Sequence, residues 1–333
     1  MKVLLLGGNR KFWHASDRLH DRDFLSGIEA WIYSFDGDYS NTLEATQDLI
    51  NTYDLIIGNS NGGSYAPKLL ELQRNRKKGI RWVTLIEGCA TEYLTLDSTT
   101  KELFDSSDLI NVINRHSLEF FRSCTSARCE YIGIPYPGAT IREKFAAGNR
   151  RDVWIASNLY HYRTSSSSAL AALPVTRAMG TNTHAFLRRR PRKRGFRRLI
   201  PDFKRPKIQD PYNGILPEIQ FHKEMHMASY FQLISDSAYT FVNLDHRYTW
   251  ARDVLDCAAL QIPCIATLST GHAEDYFPTL MVPNEFAVSE SSSLLERLYS
   301  DKKFYEECAR VPVELFQHLT HSSMKEKLLA ALN

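Results

Sequence analysis

Short, continuously apolar runs alternate with longer amphipathic segments from the start of this chain, and few folds tolerate that alternation. The runs at 3–6, 30–35, 55–58, 82–86, 109–113 and 131–134 read as buried strands. The stretches 42–51, 67–78 and 115–123 between them read as helices. A strand that is apolar on both faces needs cover on both faces, so the pattern predicts a parallel sheet with helices on either side. Pro135-Tyr136-Pro137-Gly138 interrupts it, because two prolines block a helix and the glycine after them favours a turn. A second cycle follows, with strands at 153–156, 239–244, 263–267 and 280–282 and helices at 250–260, 291–300 and 303–319. The fold class expected is α/β, two Rossmann-like domains with parallel sheets facing across a cleft. Residues 1–137 form the first domain and 138–320 the second, and 321–333 close the chain as a helix.

A length of 333 residues suits two such units, and 43% hydrophobic with 24% charged residues is ordinary for a globular protein. No stretch reaches the roughly 20 apolar residues that span a bilayer. The apolar run at the N-terminus is too short for a signal-peptide core and leads into Arg10 and Lys11. The six cysteines include no Cys-x-x-Cys pair and sit mostly in apolar runs, as free thiols in a reducing compartment would. A cytoplasmic monomer is expected.

The net charge of +3 says little, but its distribution says more. Between 188 and 207 stand Arg188, Arg189, Arg190, Arg192, Lys193, Arg194, Arg197, Arg198, Lys204, Arg205 and Lys207, against the single acid Asp202. Pro191, Pro201 and Pro206 make this a poor helix and a poor strand, so 186–210 reads as a basic loop inserted in the second domain.

Candidate ligand positions fall where strands end, since open α/β sheets bind ligands beyond the carboxyl ends of their strands. Gly7-Gly8-Asn9 follows the first strand and lets backbone pass close to a ligand, or is a plain tight turn. Without a Gly-x-Gly-x-x-Gly pattern it argues against an ordinary dinucleotide dehydrogenase. Asn59-Ser60-Asn61-Gly62-Gly63-Ser64 is a small polar loop at the same edge, or a turn capped by Ser64. Glu87 ends the apolar strand Trp82-Val83-Thr84-Leu85-Ile86, where partial desolvation would raise its pKa toward that of a general base; the alternative is a helix-capping acid. Ser157-Asn158-Leu159-Tyr160-His161-Tyr162-Arg163 precedes a helix and offers amides, a helix dipole and a guanidinium to a diphosphate, or an N-cap beside a surface arginine. Arg247 and Arg252 stand before and within the first turn of a helix, where they can meet phosphate oxygens. Asp256, one turn on, can accept from ribose hydroxyls; the alternative is an amphipathic helix with solvated charges. His222 and His226 have the i, i+4 spacing of a zinc-protease pair, but Lys223 stands where that motif needs a Glu, and they read as helix-surface residues. Asp36-Gly37-Asp38 has the look of an Asp-x-Asp metal motif, yet a turn after a strand explains it more cheaply.

The order of these features resembles the GT-B fold, and within it the T-even type phage DNA β-glucosyltransferases. Those enzymes move glucose from UDP-glucose to 5-hydroxymethylcytosine in duplex DNA, with inversion. The likeness is spread thinly over nearly the whole chain. Tyr53-Asp54-Leu55-Ile56-Ile57-Gly58-Asn59-Ser60 and Gly62-Gly63 are similar to the family's Asn-Ser loop and Gly-Gly turn. The strand ending in Glu87 is similar to the one ending in the catalytic carboxylate, an Asp in the family. Arg163 falls where the family places an arginine on the donor diphosphate. Gly214-Ile215-Leu216-Pro217 resembles the Gly-x-Ile-Pro turn around the uracil, and Asp256 the ribose-binding Glu. The family's nearby phosphate arginine is offset by one position from Arg252.

The resemblance implies a donor site built from Gly8, Asn9, Ser157, Arg163, Ile215, Leu216, Arg247, Arg252 and Asp256, with Glu87 as base. It implies a nucleotide-sugar donor of the UDP-glucose kind and no dedicated metal site, a divalent cation carried with the donor being left open. Double-stranded DNA is the expected acceptor, met by Asn59, Asn61 and the cations from Arg188 to Arg198. Two other readings stay open. One is a GT-B enzyme for a cell-surface glycan or lipid carrier, whose basic loop touches anionic headgroups. The other is a non-catalytic nucleic-acid-binding protein on the same scaffold, against which the intact polar set argues.

Overall fold

The computed structural model describes residues 1–8, 28–60, 63–86, 90–94, 96–145, 147–156, 167–187, 218–223, 225–244 and 250–333. Twelve strands within them form two six-stranded sheets whose neighbours all pair in parallel. The first contains β1 (Val3–Gly7), β2 (Asp38–Asn41), β3 (Leu55–Asn59), β4 (Arg81–Ile86), β5 (Leu109–Val112) and β6 (Cys129–Tyr131), in the order β2-β1-β3-β4-β5-β6. The second contains β7 (Asp152–Ile155), β8 (Thr183–Leu187), β9 (Ile219–Lys223), β10 (Ala238–Asn243), β11 (Cys264–Thr267) and β12 (Met281–Val282), in the order β12-β11-β10-β7-β8-β9. These are two Rossmann-like units.

Strand parity explains the continuous apolar runs. Val3, Leu5, Leu55, Ile57, Val83, Leu85 and Leu109 belong to one hydrophobic cluster. Leu4, Leu6, Ile56, Trp82, Ile86, Ile110 and Val112 belong to another, with Phe104 and Phe121. Successive side chains leave a strand on opposite faces, so each face of the first sheet has its own apolar layer.

The C-terminal helix His321–Leu332 docks on the first unit although it follows the second in sequence. Thr320 caps it by accepting from the Ser323 amide. Met324 and Leu328 join the same cluster as Trp31, and Ser34 Oγ meets His321 Nδ1 at 3.1 Å. Arg81 donates to the carbonyl of Leu332 at 3.3 Å and to Asn333 Oδ1 at 3.0 Å. The turn between the units is tight: Gly138 opens the helix Gly138–Lys144, and a Cβ there would lie 2.2 Å from the Phe316 ring. The Tyr136 amide donates to the carbonyl of Leu319 at 2.8 Å.

Several elements differ from the sequence expectation. Residues 30–35 are the helix Ala30–Phe35, burying Ala30, Trp31, Ser34 and Phe35 at helical spacing. A six-residue apolar run does not separate helix from strand by itself. The strand expected there is the edge strand β2, and Asp36-Gly37-Asp38 is the helix-to-strand turn before it, with Asp36 left-handed at φ 48° and Asp38 accepting from Tyr53 Oη at 2.9 Å. The helix expected at 303–319 is two pieces, Lys302–Ala309 and the 3₁₀ segment Val313–Leu319, because Pro312 has no N–H to continue the first. His222 lies on strand β9, not on a helix surface; His226 stands at the N-cap position of the helix Met227–Ser237, where its side chain makes no cap hydrogen bond. The helix expected after Arg163 is Ser167–Met179, whereas the strands β8 and β9 and the helices Gly138–Lys144 and Met227–Ser237 fall outside the sequence expectation.

Candidate active site

Each sheet has a point where successive connections change direction. In the first, β1 leads outward to β2, and the chain then returns to the other side of β1 as β3. In the second, β7, β8 and β9 run one way, and β10, β11 and β12 start again on the other side of β7. Crevices open beyond the carboxyl ends of the strands at such points. Gly8 follows β1, Asn59 ends β3, Ala156 follows β7, and Asn243 ends β10.

Of the sequence candidates, Gly8, Asn59, Arg252 and Asp256 lie within the described residues. The carbonyl of Gly8 accepts from Tyr39 Oη, which fixes the end of β1 against β2. Asn59 is buried at the tip of β3. Its neighbour Ser60 is structural, its hydroxyl shared between the carbonyl of Leu85 at 3.2 Å and Tyr93 Oη at 2.7 Å. Gly63 has φ +85°, a conformation that suits glycine, as its amide bonds back to Ser60 at 2.9 Å. Asn9, Asn61, Glu87, Ser157, Arg163, Ile215, Leu216, Arg247 and the cations Arg188, Arg189, Arg190, Arg192, Lys193, Arg194, Arg197 and Arg198 lie outside the described residues. The strand ends that carry several of them are described: Ile86, next to Glu87, is fully buried at the carboxyl end of β4, and Leu187, next to Arg188, ends β8.

Arg252 and Asp256 share the helix Arg252–Ala259, which starts beyond the carboxyl end of β10. Its amino end is preceded by Ala251 in the left-handed region at φ 54°, an uncommon conformation for a residue with a Cβ. Its carboxyl end is held by two arginines from elsewhere. Arg142 donates to the carbonyls of Ala258 at 2.7 Å and Ala259 at 3.0 Å, and Arg150 to those of Leu260 at 2.6 Å and Gln261 at 2.9 Å. Cations there satisfy orphan carbonyls and complement the helix dipole.

Asp256 is fully buried. One oxygen accepts from Tyr136 Oη at 2.7 Å, the other from Tyr230 Oη at 3.0 Å and Arg252 Nε at 3.2 Å. Burial first, and then the Asp256 carboxylate, push both tyrosines well above the usual phenol range, so they remain donors. Burial works against the Arg252 charge, but Asp256 outweighs it and holds the guanidinium above its ordinary pKa. Tyr136 and Tyr230 carry no sequence signal, being 120 and 26 residues away.

A second polar group also escapes the sequence reading. Beyond β11, Thr267 Oγ1 meets Thr270 Oγ1 at 2.8 Å and Ser269 Oγ at 3.2 Å, and Thr270 Oγ1 approaches the carbonyl of Asn243 at 3.4 Å. Asn243 Oδ1, Trp250 Nε1 and both ring nitrogens of His272 are buried without a hydrogen-bond partner among the described residues. His272 is left-handed at φ 66°, and burial lowers its pKa to about 3, so the ring is neutral. The small polar run Thr267-Leu268-Ser269-Thr270-Gly271-His272 after a buried strand was the available signal. Nearby, Arg115 of the first unit pairs with Asp275 and, at 3.7 Å, with Glu274 of the second. Among the described residues no group of His, Cys, Asp and Glu has the form of a metal site, and no helix is long and apolar enough to cross a membrane. The five described cysteines are free thiols.

No family model and no curated protein matches the sequence. Solved structures do match the fold. An α-glucosyltransferase in complex with UDP and a 13-mer DNA containing an HMU base superposes with a TM-score of 0.65 at 12% identity, over 100% of this chain and 99% of that one. The chain has the GT-B fold. A lipopolysaccharide outer core galactosyltransferase gives a TM-score of 0.60 at 9% identity, covering 100% and 99%. The α,α-trehalose 6-phosphate synthase from Burkholderia multivorans gives 0.59 at 11%, covering 95% and 81%. The named acceptors differ widely among these, so the GT-B frame leaves the acceptor to the loops it carries.

Proposed function

We propose that this chain is a nucleotide-sugar-dependent glycosyltransferase with a UDP-glucose-like donor, and that its acceptor is a hydroxymethylated base in duplex DNA. The observation that carries the first part is the polar set around the β7/β10 switch point of a GT-B fold: Arg252 at a helix start, the hydroxyls of Thr267, Ser269 and Thr270, and Asn243 Oδ1, buried without a hydrogen-bond partner among the described residues. GT-B neighbours bound to UDP or UDP-glucose support the donor class. Residues 1–137 would serve the acceptor and 138–320 the donor, with 321–333 fastening the second unit back onto the first. The protein would act as a monomer in the cytoplasm.

In this reading Arg163, with Arg247 or Arg252, faces the donor diphosphate, and the Gly214-Ile215-Leu216-Pro217 turn faces the base. Glu87 takes the proton from the acceptor hydroxyl, whose oxygen attacks the anomeric carbon. The bond from that carbon to the diphosphate oxygen breaks, and UDP leaves with the electron pair, its charge met by arginines and helix amides. Direct displacement inverts the anomeric centre, so an α-linked donor gives a β-linked product; an α-linked product would exclude Glu87 from this role.

Two observations support DNA as acceptor. The α-glucosyltransferase neighbour was solved with a 13-mer DNA containing an HMU base. The basic segment leaves the second sheet after β8 and returns before β9, and β8 pairs with β7, so its root lies one strand over from β7, on the carboxyl side of the paired Trp154 and His184. Its cations would then flank the donor site and track phosphates. The galactosyltransferase neighbour favours a second reading, a surface-glycan or lipid-linked acceptor. A panel of sugar nucleotides incubated with hydroxymethylated duplex, unmodified duplex and vesicles holding a lipid-linked acceptor separates them. Nucleoside diphosphate release that depends on the hydroxymethylated duplex supports the DNA reading; release that depends on the vesicles replaces it.

A further inference from the structure

Four side chains from three segments form one buried cluster, three of them donating to the carboxylate of the fourth, Asp256. Tyr136 comes from the turn between the two units, Tyr230 from the helix Met227–Ser237, and Arg252 and Asp256 from the helix at the donor edge. Three of the four are closed off from solvent: Asp256 is 0%, Tyr136 1% and Tyr230 8% exposed. Arg252, with 23% of its side chain exposed, is where the group reaches the surface. Its Nε is committed to Asp256, and among the described residues no hydrogen bond is made by the two terminal nitrogens of the fork, which suit an outside anion. The guanidinium also lies over the Tyr230 ring, 5.7 Å from its centroid.

We propose that Asp256 is a positioning residue that acts through Arg252, setting the guanidinium for an anionic donor group, and that Tyr136 ties this setting to the turn between the two units. The inference rests on the nucleotide-sugar reading of the site. It differs from one in which Asp256 itself holds a ribose hydroxyl. A carboxylate with no exposed surface and three donors already in place has neither access nor much spare acceptor capacity. An arginine clamped at Nε loses less freedom when it meets a phosphate. Tyr136 is the only member of the four that lies between the sheets, and its amide is bound to the carbonyl of Leu319. A shift of that turn would therefore reach Arg252 through one carboxylate.

The decisive comparison is UDP against uridine, since uridine has the ribose and lacks the phosphates. Binding of both is measured by calorimetry or competition for the wild type, Asp256→Asn, Tyr136→Phe, Arg252→Ala and the double variant Asp256→Asn with Arg252→Ala. Arg252→Ala should weaken UDP by roughly 10–100-fold, the loss of one charge-assisted contact. Asp256→Asn should weaken UDP by a similar order while uridine binding is unmoved, and the double variant should bind no worse than Arg252→Ala. Tyr136→Phe removes one hydroxyl and should weaken UDP about 2–10-fold, again without touching uridine. If Asp256→Asn does not fold, Tyr136→Phe decides: unchanged UDP affinity overturns the inference. An equal loss for uridine and UDP in Asp256→Asn, or additive losses in the double variant, also overturns it while leaving the nucleotide-sugar reading in place. A wild type that binds no nucleoside diphosphate removes that reading and the inference with it.

Discussion

Replacing Arg142 by alanine should loosen the helix that carries Arg252 and Asp256 without touching either residue. The guanidinium donates to the carbonyls of Ala258, Ala259 and Val311 at 2.7, 3.0 and 2.7 Å, and it lies over the Phe316 ring at 5.7 Å. Two of those carbonyls belong to the last turn of the helix, where they lack i+4 amides, although that of Ala258 also accepts from the Gln261 amide at 3.3 Å. Each hydrogen bond to a charged donor is worth about 1.5–3 kcal/mol, but a half-buried site readmits water once the side chain is gone. The net loss should be ~2–4 kcal/mol, or roughly 5–15 °C in the midpoint of the unit concerned. Thermal unfolding followed by tryptophan fluorescence reads this directly. Arg142→Lys is the control: it keeps the charge but presents a single ammonium where three carbonyls need a fork, so it should recover less than half the loss. A shift below about 2 °C for Arg142→Ala would refute the claim that this arginine caps the helix.

Gly138→Ala places a methyl within 2.2 Å of the buried Phe316 ring and should cost ~1–3 kcal/mol; an unchanged denaturation midpoint would contradict that packing. Asp105 accepts from Lys101 Nζ, from the Ser126 amide and from the Thr125 hydroxyl, and these hold its carboxyl below the usual range, the lysine most of all. A depressed carboxylate pKa contributes stability that is present above about pH 4 and lost as pH falls toward the folded-state value. Asp105→Asn should therefore be less stable than wild type at pH 7, with the gap closing on acidification; a gap independent of pH would count against it. If about five cations of the 188–207 segment meet phosphates, duplex binding should fall with salt at a log–log slope near −4 to −5. Neutralising Arg188, Arg189, Arg190, Arg192, Lys193 and Arg194 should flatten that slope and leave UDP affinity alone; an unchanged slope sinks the role of the segment.

The two parallel sheets were legible because strands such as β1 and β4 are apolar on both faces, and little besides a sheet covered on both sides can bury such a strand. The edge strands β2 and β9 were not. β2 is Asp-Tyr-Ser-Asn and half exposed, and β9 alternates as Ile-Gln-Phe-His-Lys, so neither carries an apolar run. Residues 30–35 misled for the opposite reason, since a run of apolar side chains that short reads alike as helix or strand. At the site, the sequence showed the strand ends and the charged residues placed there, which are local features. It could not show that Asp256 meets Tyr136 across 120 residues, because that contact belongs to the packing of the two units.

The central claim is sugar transfer to a modified base, and one measurement addresses it directly. A duplex with 5-hydroxymethylcytosine and a matched unmodified duplex are each incubated with UDP-glucose and the wild type or Glu87→Gln, then digested to nucleosides for mass spectrometry. With wild type, the hydroxymethylated nucleoside should gain one hexose and the unmodified one none. Glu87→Gln should form the same product ~10²–10⁴-fold more slowly with UDP binding intact. No hexose on any nucleoside, with UDP-glucose or with other sugar nucleotides in its place, would contradict the account.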